Sequence, residues 1–276
     1  MPPASLPSSL VPPALAPSAP AAVAPAVRCW AVVPCGGTGS RAGAGGPKQY
    51  RPLGGQPLVM HTLAALGAVP RIAGMQLVVA PGDAVLATAI LPPGCMLQPE
   101  GGTTRADTVQ AGLRALAARG AAPQDWVLVH DAARCLVSPA QVDALIDACL
   151  ADPVGGLLAL PLADTLKTAS ADGRVAATVD RAGKWLAQTP QMFRLGLLTE
   201  ALGAAGGAVT DEASAVEALG LQPRLVVGSA QNFKVTWPED FALAEAVLAA
   251  RSQPATVARY GDGRCEASPL PPRVLY

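Results

Sequence analysis

Ala31–Tyr50 reads AVVPCGGTGSRAGAGGPKQY, an apolar run that breaks into a glycine-rich loop carrying one arginine and one lysine. With Trp30 the apolar part is WAVVP, a short buried strand. A glycine loop directly after such a strand occupies the place where open α/β sheets bind ligands, beyond the carboxyl ends of the strands. Gly36, Gly37 and Gly39 let the backbone turn tightly and point N–H groups at an anion. Arg41 and Lys48 bracket those glycines and add charge-assisted bonds. The loop is not a Walker A motif, because its lysine sits in Gly46-Pro47-Lys48-Gln49 and no Gly-Lys-Ser/Thr occurs. Gly37-x-Gly39-x-x-Ala42 approximates a dinucleotide fingerprint, yet no acidic residue stands between Ala31 and Gly82 to hold a ribose diol. That gap argues against an NAD-binding oxidoreductase. The charges between Ala31 and Asp83 are Arg41, Lys48, Arg51 and Arg71, all of one sign, and a loop of this length wraps a triphosphate. Cys35 has no base beside it in the sequence, so a packing role in the tight turn is expected rather than nucleophilic attack.

Outward from the loop, strands alternate with helices. The sequence predicts a helix from Gln56 with Pro57 in its first turn, and a strand at Met75–Ala80 ended by Pro81-Gly82-Asp83. Arg105–Gly120 has Val109, Leu113 and Leu116 on one helical face, with Gly120 as its stop. WVLVH at Trp126–His130 reads as another buried strand. Ser138 caps a helix opened by Pro139 and running to Leu150. Strands follow at Gly155 onward and at Arg224–Gly228. Thr236 and Glu239 have capping-box spacing ahead of a last helix at 238–249. Several strands are apolar throughout, which implies an α/β fold with a mostly parallel sheet covered on both faces. Leu160–Gln188 breaks the rhythm with two strand-like stretches around Asp172-Gly173, a hairpin or arm.

Asp131 ends the strand WVLVH and is followed by small residues. A lone carboxylate there suits a hydrated Mg2+ ion bridging phosphate oxygens, and it equally suits capping of the following chain. His130 is expected to be a satisfied histidine at a strand end.

Composition bounds the rest. The 276 residues are 51% hydrophobic and carry 20 basic and 20 acidic side chains, a balance that argues against non-specific binding to nucleic acid or an anionic membrane and says nothing against a local basic pocket. No apolar run is long enough to span a bilayer. The six cysteines are scattered without a CxxC pair and there are two histidines, which argues against a structural zinc site and fits a reducing, cytoplasmic setting. Residues 1–28 hold eight prolines and eight alanines with no charge before Arg28, and are expected to be a disordered extension. The folded unit is expected at 29–250, with the arm at about 160–188 and a flexible tail at 251–276.

Eight blocks in order resemble the 2-C-methyl-D-erythritol 4-phosphate cytidylyltransferase family of non-mevalonate isoprenoid synthesis. They are Pro34–Tyr50, Gly101–Leu113 (GGTTRADTVQAGL), Val129–Arg134 (VHDAAR), Asp164–Lys167 (DTLK), Thr178–Arg181 (TVDR), Thr189–Phe193 (TPQMF), Thr210–Ala215 (TDEASA) and Asn232–Asp240 (NFKVTWPED). The resemblance implies a three-layer, Rossmann-like nucleotidyltransferase fold with a protruding β-arm. It implies joining of CTP to the sugar-alcohol phosphate with release of pyrophosphate. Arg41 and Lys48 fall on the catalytic cations, and Asp131 on the Mg2+ carboxylate. Cys35, Gly36, Gly37, Gly39, Gly102, Thr103, Thr108 and Ala132 fall on the nucleotide site. Arg134, Thr165, Arg181, Lys234 and Thr236 fall on the acceptor site. The resemblance further implies a homodimer whose arms exchange, so that Thr165 and Arg181 act in the neighbouring site. Ser40, Thr103 and Trp237 depart from residues common in the family. A cytidylyltransferase for another alditol phosphate, such as ribitol 5-phosphate, would share the loop and the chemistry.

Overall fold

The computed structural model describes residues 27–37, 46–205 and 209–252. Gly39, Ser40 and Arg41 lie outside them, as does nearly all of the expected extension and tail. Arg28 belongs to the folded part, because its backbone N–H and guanidinium both bond the Asp125 carboxylate, at 3.0 and 2.9 Å.

Strand β1 (Cys29–Pro34) has five buried residues. Its alternation splits between two cores, Ala31 and Val33 entering one and Trp30 and Val32 the other, so it runs through the middle of a sheet covered on both faces. A 3-10 turn at Lys48–Tyr50 leads to the small ribbon of β2 (Pro52–Leu53) and β3 (Gln56–Pro57). There follow α1 (Leu58–Gly67), β4 (Ile72–Val78), β5 (Cys95–Gln98), α2 (Arg105–Ala118), β6 (Trp126–Val129), α3 (Pro139–Leu150) and β7 (Gly155–Pro161). The chain then forms β8 (Leu166–Ala169), β9 (Val175–Val179), β10 (Trp185–Arg194), α4 (Leu195–Ala204), α5 (Glu212–Glu217), β11 (Arg224–Val227) and α6 (Pro238–Ser252).

The main sheet has the order β11-β7-β10-β6-β1-β4-β5. Every neighbouring pair is parallel except those made by β10, which runs against both β6 and β7. Helices α1 and α3 bury Leu63, Leu66, Leu145 and Ile146 on one face. Helices α2, α4 and α5 bury Val109, Leu113, Leu198 and Val216 on the other. The result is the three-layer α/β architecture with a mostly parallel sheet. A smaller cluster, with Leu53, Leu136, Val235 and Phe241, fastens α6 against β2. Among the described residues no helix is long and apolar enough to cross a membrane.

Local signals act as expected at most helix starts. Ser138 and Gln141 make a reciprocal cap on α3, with Pro139 opening the helix. Two details differ. Pro57 stands at the N-cap of α1, one residue before the first turn. At α6 the expected Thr236–Glu239 box is replaced by Asp240, whose carboxylate accepts from the N–H groups of Thr236 at 2.6 Å and Trp237 at 2.8 Å. Pro238 opens the helix, so Trp237 is the cap and Asp240 the third helical residue. Only the returning half of a box forms, one position later than expected, since the Trp237 indole cannot accept a bond.

The long strand β10 was not legible, because Thr189-Pro190 reads as a breaker. Proline cannot donate to a ladder, and the β7–β10 register shifts between Ala187 and Gln191, where it sits. The arm is a hairpin of β8 and β9 with Gly173 at φ 81° in its turn. It springs from between β7 and β10, where Trp185 pairs with Pro161.

Candidate active site

β1 and β6 are parallel neighbours, so the loops that follow them emerge at the same end of the sheet. A cavity of about 360 Å³ opens there, between those loops, the start of α2 and the segment ahead of α6. Its wall brings together Cys35, Gly36, Gly37, Lys48, Gly102, Thr103, Thr108, Asp131, Ala132 and Lys234 from the sequence-based set. It adds Gln49, Thr104 and Arg105, which that reading had not singled out. Arg134, Thr236, Thr165 and Arg181 do not line it. The guanidinium of Arg134 donates to the carbonyls of Asn232 at 2.8 Å and Ala187 at 3.2 Å, tying two segments behind the cavity. Thr236 donates its hydroxyl to the Lys234 carbonyl at 3.0 Å. Thr165 and Arg181 are on the arm, where Arg181 donates to the carbonyl of Ala163.

The glycine loop leaves β1 with the Cys35 N–H bonded to Val78 O at 2.7 Å. Burial pushes the Cys35 thiol up to about 12, so it is a packed, un-ionised side chain. Lys48 Nζ donates to the carbonyl of Val235 at 2.8 Å, across the mouth from the loop. At the other end, a Cβ on Gly102 would lie 2.1 Å from Cβ of Asp107, and one on Gly101 2.6 Å from Val79 O. The paired glycines are required because the chain folds directly onto the first turn of α2. There Thr104 and Asp107 make a reciprocal cap that leaves Thr103 and Thr108 on the cavity wall.

The floor is ionic. Asp131 receives Arg105 Nε at 2.8 Å on one carboxylate oxygen and Lys234 Nζ at 2.7 Å on the other. Arg105 also grips Glu212, with two bonds of 2.7 and 3.0 Å. Glu212 is fully buried at the start of α5. Four alternating charges therefore run from the core to the cavity: Glu212, Arg105, Asp131, Lys234. Burial alone would raise the Asp131 carboxyl, but Arg105 and Lys234 override it and hold it below the usual carboxylate range. Burial raises Glu212, against the pull of Arg105. Arg105 was open to discovery from sequence as the cation following the paired glycines. Its partners come from elements distant in the chain, and nothing in a linear reading joins them.

His130 has both ring nitrogens engaged. Nε2 donates to Arg134 O at 3.0 Å, and Nδ1 accepts from the Thr189 hydroxyl at 3.0 Å. The same hydroxyl oxygen accepts from the Asp131 N–H at 3.0 Å. Burial holds the imidazole down at about 4, so it is neutral near pH 7 and sets the backbone of Asp131.

Among described residues the chain of Glu212, Arg105, Asp131 and Lys234 is balanced in charge, and Lys48 adds one further positive charge to the cavity wall. That surplus of positive charge, beside a glycine loop, suits a polyanion.

Comparison with known proteins agrees. The model of 2-C-methyl-D-erythritol 4-phosphate cytidylyltransferase matches residues 29–250. The chain is 57% identical to the protein of that name from Laribacter hongkongensis, over 80% of this chain and 96% of that one. It is 66% identical to a bifunctional enzyme, IspD/IspF, from Albidiferax ferrireducens, and spans 54% of that relative's length. A crystal structure of 4-diphosphocytidyl-2C-methyl-D-erythritol synthase superposes with a TM-score of 0.72 at 39% identity, covering 82% of this chain and 100% of the other. The cytidylyltransferase from Thermus thermophilus superposes with a TM-score of 0.66 at 33% identity, covering 80% and 98%. The chain belongs to the 2-C-methyl-D-erythritol 4-phosphate cytidylyltransferase family of nucleotidyltransferases.

Proposed function

We propose that this cavity is where CTP and 2-C-methyl-D-erythritol 4-phosphate react. A phosphate oxygen of the acceptor attacks the α-phosphorus of CTP in line, a new P–O bond forms, the α–β bridging bond breaks, and pyrophosphate leaves. The observation that carries the reading is Lys48 on the wall beside the glycine loop, with Arg105 and Lys234 ordered on Asp131 in the same cavity. The triphosphate lies along Gly36, Gly37 and Gly39 with Lys48 and Arg41 as the cations that meet charge growing on the departing pyrophosphate. Gly102, Thr103 and Thr108 take the cytosine, and Ala132 borders the nucleotide. Lys234, with Thr236 and Arg134 behind it, positions the acceptor.

Mg2+ fits this donor set in one way. The described residues hold no group of three or more His, Cys, Asp or Glu side chains able to cage a metal. Mg2+ commonly takes one or two carboxylates and completes its shell with phosphate oxygens and water. Asp131 supplies one such carboxylate, whose oxygens each keep a lone pair beyond their bonds to Arg105 and Lys234. When bound, the ion neutralises triphosphate charge.

The test of the reaction is pyrophosphate release from CTP with either acceptor. Methylerythritol phosphate is expected to give rapid release and ribitol 5-phosphate little. The reverse preference would overturn the acceptor assignment, and release from another nucleoside triphosphate in place of CTP would overturn the donor.

The working unit is a homodimer with exchanged arms, which brings Thr165 and Arg181 to the partner's acceptor pocket. Support comes from apolar side chains left exposed on the arm and the sheet edge beside it: Val175, Leu186, Leu225 and Val227. A hairpin alone is marginal and needs a surface to pack on. Subunits bearing Arg181→Ala, mixed with subunits bearing Lys48→Ala, are expected to regain activity on exchange. One site of the mixed dimer then holds both defects and the other holds neither. No regain, with exchange shown by sedimentation of tagged subunits, would show that each site uses its own arm. The five described cysteines are all free thiols, which suits the reducing cytoplasm.

A further inference from the structure

The 3-10 turn Lys48–Tyr50 sends three consecutive side chains to three segments. Lys48 bonds Val235 O, ahead of α6. Tyr50 donates its hydroxyl to the Asp83 carboxylate, beyond β4. Gln49, between them, turns inward and is 5% exposed. Its side-chain amide nitrogen donates to the carbonyl of Cys35 at 3.0 Å and to that of Gly37 at 2.8 Å. An amide NH2 has two protons, and both are committed to the glycine loop.

The choice of partners matters chemically. A loop rich in glycine can present either its N–H groups or its carbonyl oxygens to a ligand, at little steric cost. A carbonyl oxygen facing a phosphate repels it, whereas an N–H attracts it. We propose that Gln49 is the positioning residue of the nucleotide loop. By holding the carbonyls of Cys35 and Gly37, it keeps their negative ends from the triphosphate and sets the start of the loop before CTP arrives. Because Lys48 is its chain neighbour, the same turn fixes the loop and the catalytic cation in one frame. The inference rests on the reading that this loop holds the triphosphate. Without the clamp the loop must be ordered at the expense of CTP binding; the acceptor, on the Lys234 side, is not affected.

Gln49→Met keeps the length and removes both donors, and Gln49→Glu sets an acceptor against two carbonyls. Calorimetric titration with CTP alone is expected to show Kd raised about tenfold or more in Gln49→Met and further in Gln49→Glu, since each of the two lost hydrogen bonds is worth up to roughly a factor of ten. KM for CTP should rise in parallel, with KM for the acceptor within about twofold of the parent and far-UV circular dichroism unchanged. A general structural defect would raise both constants together. The parent provides a measurement that needs no variant: NMR of the nucleotide-free protein should show two side-chain amide protons of Gln49 protected from exchange. Fast exchange of those protons, or unchanged CTP Kd in folded variants, overturns the clamp. If Lys48→Ala meanwhile loses turnover, the site reading survives that failure; if Lys48→Ala also behaves as the parent, the loop assignment falls with it.

Discussion

Replacing Lys48 by alanine is expected to lower turnover at saturating CTP and acceptor by about a hundredfold or more, with a much smaller loss of CTP affinity. Its ammonium is placed before any ligand binds, bonded to Val235 O at 2.8 Å on the wall that also holds Gly36 and Gly37. A cation fixed in advance needs no reorganisation when charge develops on the phosphoryl oxygens and the leaving pyrophosphate. Loss of one such donor typically costs about 3 kcal/mol of transition-state stabilisation. In the proposed site ground-state CTP is held in addition by the loop backbone and the residues around Gly102, so binding is expected to suffer less. Steady-state kinetics with both substrates varied gives the answer. Turnover near that of the parent would remove Lys48 from the reaction.

Asp131→Asn is the second large effect. Shape is preserved, but Arg105 and Lys234 lose their shared counter-charge while Glu212 still holds Arg105 from below. Breaking a buried ionic chain at one member destabilises by on the order of 3 kcal/mol, so the melting temperature should fall measurably with the fold retained. Turnover should fall at least tenfold, and the Mg2+ concentration for half-maximal rate should rise. The titration separates two roles. If the variant is less stable yet titrates with Mg2+ like the parent, Asp131 organises Arg105 and Lys234 and is not a metal ligand.

These two residues differ in how far the sequence exposes them. Lys48 is legible because a strand, a run of glycines and a lysine are contiguous, and local chemistry links them. The sheet is legible for the same reason: the apolar runs at Trp30–Pro34 and Trp126–Val129 show burial on both sides without further information. Asp131 is legible as a strand-end carboxylate, but its neighbours are not. Arg105, Glu212 and Lys234 reach it from α2, α5 and the segment ahead of α6, and only the fold places them within hydrogen-bond distance. Gln49 was hidden differently. It adjoins the residue that drew attention, and its partners are backbone carbonyls, which no side-chain pattern records. The α6 cap slipped by one residue because Thr236 and Asp240 both lie near the helix start and spacing alone favoured the wrong pair. β10 was missed because a proline within a strand is a strong local signal that pairing on both sides overrides.

The thiol of Cys35 has a consequence for chemical attack on this enzyme. It sits in the wall of the cavity, where a covalent inhibitor would be aimed. Burial pushes it up to about 12, so it stays protonated near pH 7. Alkylating warheads and peroxide both react through the thiolate, so a buried, protonated thiol is a slow target for either. A reversible anionic ligand that meets Lys48 on the wall is the better starting point for inhibition.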